Sequence, residues 1–258
     1  MLGGTAVSCA VQRCAALPAD VRENRAFASE IKFLIDPMVA DQIRDWTSGR
    51  MTSDPNSAPD LDGSYRVTSL YFDTERFDVF HRQGSFGRCK YRIRRYGESD
   101  LTFLERKLKT RGLLSKRRSM VNAGELHSLG ARELCRGWAG GWFHRRLLAR
   151  QLRPVCQISY GRTARVSWTD LGPARLTLDR ETRATVADQP AFRSETGALN
   201  LIDKEIILEL KFRGPMPALF KRLLEEFALT PQPVSKYRLA VAALGLVTVD
   251  QNEAGEDA

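Results

Sequence analysis

The sequence predicts an α+β fold, an antiparallel β-barrel of roughly eight strands with helices packed on its outside. Three observations lead there. First, Arg88-Cys89-Lys90-Tyr91-Arg92-Ile93-Arg94 alternates, with cations at the even positions and Cys, Tyr and Ile at the odd ones. Successive side chains of a strand point to opposite faces, so one face of this strand is basic and the other small or apolar. Second, the polar face recurs with both signs of charge in Glu30-Ile31-Lys32-Phe33, in Glu105-Arg106-Lys107-Leu108-Lys109 and in the run from Glu205 to Arg213. Third, residues 217–228 and 235–246 are amphipathic at helical spacing and need an apolar surface to cover. An ordinary sheet with one wet face alternates in the same way. The helices decide between the two readings: packed on the apolar face, they leave the charged face as a lumen. Unpaired charges there cost roughly several kcal/mol each, so the expected lumen is wet, its cations partly balanced by Glu, and attractive to a polyanion.

The elements follow in order. Residues 1–24 show no period and are expected to form a loosely ordered leader, ahead of one domain over 25–247 and an acidic, disordered tail over 248–258. Phe27 to Ile35 reads as a strand. Asp36-Pro37 then gives a helix start, with an N-cap and a proline at the first helical position. Met38, Val39, Ile43 and Trp46 carry that helix to about Ser48, and a polar loop runs to Gly63. Arg66 to Asp73 is a strand, Thr74 to Gln83 a short helical turn, and Arg88–Tyr96, Leu101–Lys109 and Leu113–Val121 form a ladder joined by short turns. Residues 123–152 read as one or two helices interrupted at Gly137 and Gly140-Gly141. Pro154 to Trp168 and Ala174 to Val186 are strands, 187–203 a loop, and Lys204–Arg213 the last strand. Helices over Pro217–Ala228 and Ser235–Leu246 finish the fold.

Composition narrows the function. Hydrophobic residues at 43% and charged residues at 28% describe an ordinary folded, soluble chain. A net charge of +9 favours polyanionic partners, nucleic acid or phosphate compounds. Cys9, Cys14, Cys89, Cys135 and Cys156 form no CxxC pair, which points to a reduced, cytoplasmic protein. His81, His127 and His144 lie far apart, which argues against a His-based metal site, and His144 beside Arg145-Arg146 reads as a solvated helix face. No run approaches the roughly 20 apolar residues of a membrane span.

Seven motifs occur in a fixed order: Glu30-x-Lys32-Phe33, Ser69-Leu70-Tyr71-Phe72-Asp73, Tyr91-Arg92-Ile93-Arg94-x-Tyr96-Gly97, Glu105-Arg106-Lys107, Tyr160-x-Arg162-x-Ala164, Leu208-Glu209-x-Lys211 and Ser235-Lys236-Tyr237. In this they resemble VTC domains, the polyphosphate polymerase-like branch of the CYTH-like triphosphate tunnel metalloenzymes, over roughly residues 25–245. The resemblance implies an eight-stranded antiparallel tunnel in which the terminal phosphoryl group of ATP passes to a growing polyphosphate chain with help from Mn²⁺ or Mg²⁺. It implies that Lys32, Arg92, Arg94, Lys107 and Lys236 hold phosphate, with Arg162 from the Tyr-x-Arg strand. Glu209 matches the metal-binding carboxylate, and Lys32, Arg92, Arg94, Lys107 and Glu209 form the catalytic set. Arg82, Tyr160, Arg162, Arg175, Lys211, Ser235 and Lys236 form the substrate-binding set. The chemistry suits the residue types. Phosphoryl transfer needs positioning and charge cancellation, which Arg supplies as a planar fork and Lys as a point charge. One carboxylate with substrate phosphates and water is a common Mg²⁺ arrangement.

The bland readings stand beside these. Arg95, Arg106, Lys109 and Arg117 are expected at the solvated surface, Lys116 and Arg118 either there or in the tunnel, and Glu30 and Glu105 as partners that hold lysines upright. Asp179 is expected in a structural hydrogen bond, and Trp138 and Trp142 in helix packing. The family's Arg-Tyr-Glu pattern stands here as Ala28-Ser29-Glu30. A tunnel triphosphatase is the second enzymatic reading, although its denser Glu-x-Glu-x-Lys signature is broken by Ala28. A non-catalytic polyphosphate-binding module is the third. The expected partners are ATP or another triphosphate and polyphosphate. Nucleic acid is not expected, because no reader motif is present and a closed tunnel excludes a duplex. A membrane-protein partner outside this chain is compatible with the resemblance.

Overall fold

Short turns dictate antiparallel pairing. The computed structural model describes residues 20–26, 28–54, 63–110, 113–134 and 137–248. Its strands are β1 (Asp20–Ala26), β2 (Ala28–Ile35), β3 (Thr52–Ser53), β4 (Ser64–Asp73), β5 (Arg88–Tyr96), β6 (Leu101–Thr110), β7 (Leu113–Asn122), β8 (Arg153–Thr169), β9 (Gly172–Val186), β10 (Leu199–Asn200) and β11 (Ile206–Arg213). Helices are α1 (Pro37–Ser48), α2 (Gly141–Ala149), α3 (Ala218–Glu226) and α4 (Lys236–Ala243). The β8–β9 hairpin turns at Gly172, whose φ of 108° an L side chain would strain to adopt.

The eleven strands form one antiparallel sheet in the order β1-β7-β6-β5-β4-β8-β9-β11-β2, with β10 added to β9 and β3 to β8. The expected closed barrel of eight strands is corrected here. No ladder joins the end strands β1 and β2, so the sheet does not close on itself by hydrogen bonds among the described residues. The reason is covalent: β1 and β2 are separated by a single residue, too short a connection for one to fold back and pair with the other. Strand β1 pairs instead with β7 and β2 with β11.

The apolar faces are covered as expected over most of the sheet. On one side, α1 and α3 bury Ala40, Ile43, Phe220 and Leu223 with Phe33, Leu208, Leu210 and Phe212, and Phe220 meets Phe212 edge to face at 6.0 Å. On the other, Phe143 of α2 packs edge-on against Phe72 at 5.6 Å and near Tyr91 at 6.3 Å. Each such side chain contributes about 1.5–3 kcal/mol by leaving water.

Several expectations change. Residues 20–24, read as leader, lie in β1; residues 1–19 and 249–258 fall outside the described ones. The 123–152 region is a 3₁₀ stretch (Ala123–Gly130) and one short helix, α2. The segment after β4 is a set of turns rather than helix, with Phe77 and Arg82 at positive φ. His144 is buried, its Nε2 2.9 Å from the Ala131 carbonyl, not solvated. The last helix does not sit outside with the others: Tyr237 of α4 stacks on Tyr71 at 5.2 Å, and Tyr71 shares the charged face with Arg92. Helix α4 thus covers one end of that face.

Candidate active site

Register aligns the charged positions. Arg92 stands opposite Glu105 and Tyr71, Lys90 opposite Lys107, Arg162 opposite Asp179, Lys32 opposite Glu209 and Glu30 opposite Lys211. Both faces of these strands are buried: Ile93, Leu104 and Leu210 under apolar neighbours, and Arg94, Glu105, Arg162, Asp179 and Glu209 on the charged side. The charged face is therefore an interior.

Three clusters line it. In the first, Arg92 grips Glu105 Oε2 with Nε and Nη2, both at 2.7 Å, and donates to the Tyr71 hydroxyl at 3.3 Å. Arg94 donates to Ser69 Oγ and to the Tyr160 hydroxyl, both at 3.0 Å. Arg118 Nε and Lys116 Nζ approach Glu105 Oε1 at 3.2 and 3.7 Å, so both belong to the interior. Burial pushes the Glu105 carboxyl up, but Arg92, Arg94, Lys116 and Arg118 outweigh it and hold it well below the usual range.

In the second, Arg162 binds Asp179 through two parallel hydrogen bonds of 2.6 and 2.7 Å, and Lys236 Nζ donates to Asp179 at 2.5 Å. Lys236 also lies 4.7 Å from the centre of the Tyr160 ring, which joins this cluster to the first. Burial raises the Asp179 carboxyl, yet Arg162 and Lys236 bring it down to about 2. Asp179, expected in a structural hydrogen bond, holds two phosphate-ligand candidates together.

The third cluster spans the interior. Lys107 of β6 donates to Glu30 Oε2 of β2 at 2.7 Å, and Lys211 Nζ lies 3.9 Å from the same oxygen while pairing with Glu209. Lys32 Nζ donates to the Val234 carbonyl at 2.7 Å and stands 3.7 Å from Glu30 Oε1. Burial and the charge of Glu209 raise Glu30, but Lys211, Lys107 and Lys32 carry it down to about 2. Glu209 also lies well below its usual value; burial opposes this, and Lys211, Lys32, Arg162 and Lys236 cause it.

A cavity of about 130 Å³ opens among these groups, lined by Lys32, Lys90, Lys107, Arg82, Ser235 and Arg238 with their neighbours. Lys90 donates to Ser235 Oγ at 3.1 Å. Burial, then the charges of Lys32 and Lys107, lower its ammonium to about 7. Sequence reasoning placed Lys90 on the basic face but left it out of the site. Its signal was present, two residues before Arg92 on the same face. Arg175 lies apart from the cavity, donating to the Tyr65 hydroxyl at 3.0 Å and pairing with Asp54 at 2.9 Å. Of the arginines expected outside, Arg106 donates to Ser115 Oγ at 3.3 Å and Arg117 stacks on Trp142 at 4.3 Å.

Helix α4 is fixed by one buried residue. Asp73 accepts from the backbone of Thr74, Val79 and Phe80 at 2.7, 2.8 and 2.9 Å and from the Tyr237 hydroxyl. This holds the first turn of α4, with Ser235 and Lys236, beside the segment that carries Arg82.

No group of three or more His, Cys, Asp or Glu suited to a metal occurs among the described residues. Glu209 nevertheless fits a hard cation that takes most of its ligands from phosphate and water. Its Oε1 is buried and accepts no hydrogen bond in good geometry, although the Lys211 ammonium lies against it. Across the ladder, the Thr177 hydroxyl is also buried, with no hydrogen-bond partner among the described residues.

Residues 27–245 match the family model described as the VTC domain. A candidate adenylate cyclase from Bacillus halodurans shares the fold, with a TM-score of 0.53 at 15% identity over 83% of this chain and 95% of that one. A candidate adenylyl cyclase from Hippeastrum, described as having a dominant triphosphatase activity, gives 0.50 at 15% identity over 84% and 96%. No curated protein sequence matches. Among the described residues no helix is long and apolar enough to cross a membrane.

Proposed function

The chain belongs to the VTC domain family, and on that premise we propose that it is a metal-dependent phosphotransferase acting on ATP. It holds the nucleotide's phosphates in the charged interior and passes the terminal phosphoryl group to a polyphosphate chain. The observation that carries this reading is the excess of converging cations. Among the described residues, Lys32, Lys90, Arg92, Arg94, Lys107, Arg162, Lys211 and Lys236 outnumber the carboxylates they pair with or face, Glu30, Glu105, Asp179 and Glu209. In this reading β1 and β2 act as one wall between β7 and β11, which completes a tunnel of eight strands within a single domain that takes in β1 from Asp20 and runs to about residue 247. Mn²⁺ or Mg²⁺, when bound, cancels charge on the phosphate oxygens, and Glu209 is the residue that would hold it.

The rest is the work of the chain's own groups. Arg92 and Arg94 are oriented by Glu105, Ser69 and Tyr160, so their forks are set before substrate arrives and little ordering remains to be done. Lys32, Lys90 and Lys107 present point charges that follow the phosphate oxygens as they move. Ser235 offers a hydroxyl at the start of α4, while Tyr160 and Arg162 line the wall towards Arg175. Arg82 stands at the cavity edge. A nucleophilic side chain is unnecessary, since the transfer runs on positioning and electrostatic stabilisation. With Cys89 and Cys156 as free thiols, the cytoplasm is the proposed compartment.

The fold shared with the Hippeastrum protein favours a second reading, hydrolysis of tripolyphosphate or an organic triphosphate. One experiment separates them. Purified protein is incubated with ATP and Mn²⁺ or Mg²⁺, following ADP, free phosphate and long-chain polyphosphate, with Glu209→Gln as control. ADP with polyphosphate, lost in the variant, is the expected result. ADP with free phosphate alone would replace the polymerase by a triphosphatase. Tight polyphosphate binding without turnover would leave a binding module.

A further inference from the structure

We propose that the Thr177 hydroxyl is a second protein ligand, beside Glu209, for the divalent cation that accompanies the triphosphate. The inference rests on the tunnel reading above and assigns it a residue that no motif contains. Thr177 lies between Arg175 and Asp179 on β9, and both neighbours engage the charged face, so period-two alternation puts Thr177 on that face too. It stands directly opposite Glu209 of β11, where facing side chains have Cβ atoms about 5 Å apart. On its other flank is Ala164 of β8, whose methyl offers the hydroxyl no hydrogen-bond partner. The hydroxyl is 2% exposed and has no hydrogen-bond partner among the described residues.

A buried hydroxyl without a partner is costly, and native folds rarely keep one without a use for it. Here the hydroxyl faces a carboxylate whose own Oε1 accepts no hydrogen bond in good geometry. Two oxygens on adjacent strands, one charged and one neutral, form part of an oxygen shell for a hard cation, with phosphate and water completing it. A threonine or serine hydroxyl on Mg²⁺ is established chemistry at phosphate sites. Lys211 is the charge partner of Glu209.

The test is calorimetric binding of tripolyphosphate, with Mg²⁺ and with EDTA, to the wild type, Thr177→Val, Thr177→Ser and Glu209→Gln. Melting curves are recorded alongside. Thr177→Val keeps the shape and removes the hydroxyl. The expected result is a wild-type gain in affinity from Mg²⁺ that shrinks about ten-fold in Thr177→Val, a difference of about 1.4 kcal/mol. Thr177→Ser retains the gain, Glu209→Gln abolishes it, and affinity in EDTA is the same in the wild type and both Thr177 variants. Thr177→Val should also melt at or above the wild-type temperature, because a buried unsatisfied group has been removed. An unchanged Mg²⁺ gain in Thr177→Val overturns the inference and leaves the tunnel reading intact. Equal weakening in EDTA shows the hydroxyl touching phosphate instead of metal, and a lowered melting temperature shows a structural role; either result also overturns it. Absence of any Mg²⁺ gain in the wild type removes the metal site, and absence of tripolyphosphate binding removes the tunnel reading with it.

Discussion

Replacing Glu105 with glutamine removes the one carboxylate that Arg92, Arg94, Lys116 and Arg118 all act on. Glu105 is 3% exposed and meets Arg92 side-on, with Arg118 and Lys116 at its other oxygen. Arg94 adds its field. Breaking a fully buried pair costs about 3–5 kcal/mol. Arg92, Arg118 and Lys116 are 22%, 27% and 35% exposed, so solvent screens part of their repulsion. Halving the figure for that screening leaves about 2 kcal/mol. In a domain of this size that corresponds to a melting temperature lower by about 4–8 °C. The sign reverses for ligand: with one anion gone, the interior binds another more tightly, so tripolyphosphate should raise the melting temperature of Glu105→Gln more than that of the wild type. Differential scanning fluorimetry at several tripolyphosphate concentrations reads both effects. A variant that melts within about a degree of the wild type and gains no more from ligand would refute the picture of a cationic interior held together by Glu105.

Two further outcomes follow from the same geometry. Lys90 titrates near 7 and Lys107 near 8, both lowered chiefly by burial, against about 10.4 for a free lysine. The unfolded chain therefore binds more protons between about pH 7 and 10, so these lysines make stability rise with pH in that window. Over the same range they lose the charge that attracts phosphate. Tripolyphosphate affinity measured from about pH 6 to 9 should fall in two steps, and Lys90→Arg should remove the lower one. Tyr237→Phe leaves Asp73 one donor short at a buried site, a loss of about 1–3 kcal/mol. It should lower the melting temperature and raise KM for the triphosphate with kcat nearly unchanged, because Ser235 and Lys236 lose their fixed position; unchanged steady-state kinetics would show that α4 is held by packing alone.

The strands were legible because alternation is a local property. Arg88–Tyr96 is recovered to the residue, and the other long strands, apart from β1, within a few. Which face each helix covers is not local. Tyr237 and Val241 look like core residues at helical spacing, yet α4 lies on the charged side because Tyr237 finds Tyr71 and Asp73 there. The short strands β3 and β10 leave no period to detect, and the α2 region is broken by its glycines. Among the site residues named from sequence, Lys32, Arg92, Arg94, Lys107, Arg162, Lys211, Glu209 and Lys236 share the charged face. An ordinary residue type such as Thr177 becomes visible only when register shows what stands opposite it.

The run from β1 into β2 carries a consequence for biosynthesis. They leave the ribosome before the other described strands, yet β7, the partner of β1, comes much later, and β11, the partner of β2, is the last strand described. Pairing so distant in sequence is slow, since the loop entropy is lost before the contacts form. Until β11 emerges, the alternating edge of β2 has no native partner, and an unpaired edge is where chains stick to one another. Glu30 and Lys32 on that edge are thus useful before any substrate is met: charges along an unpaired strand discourage a second nascent copy from adding to it.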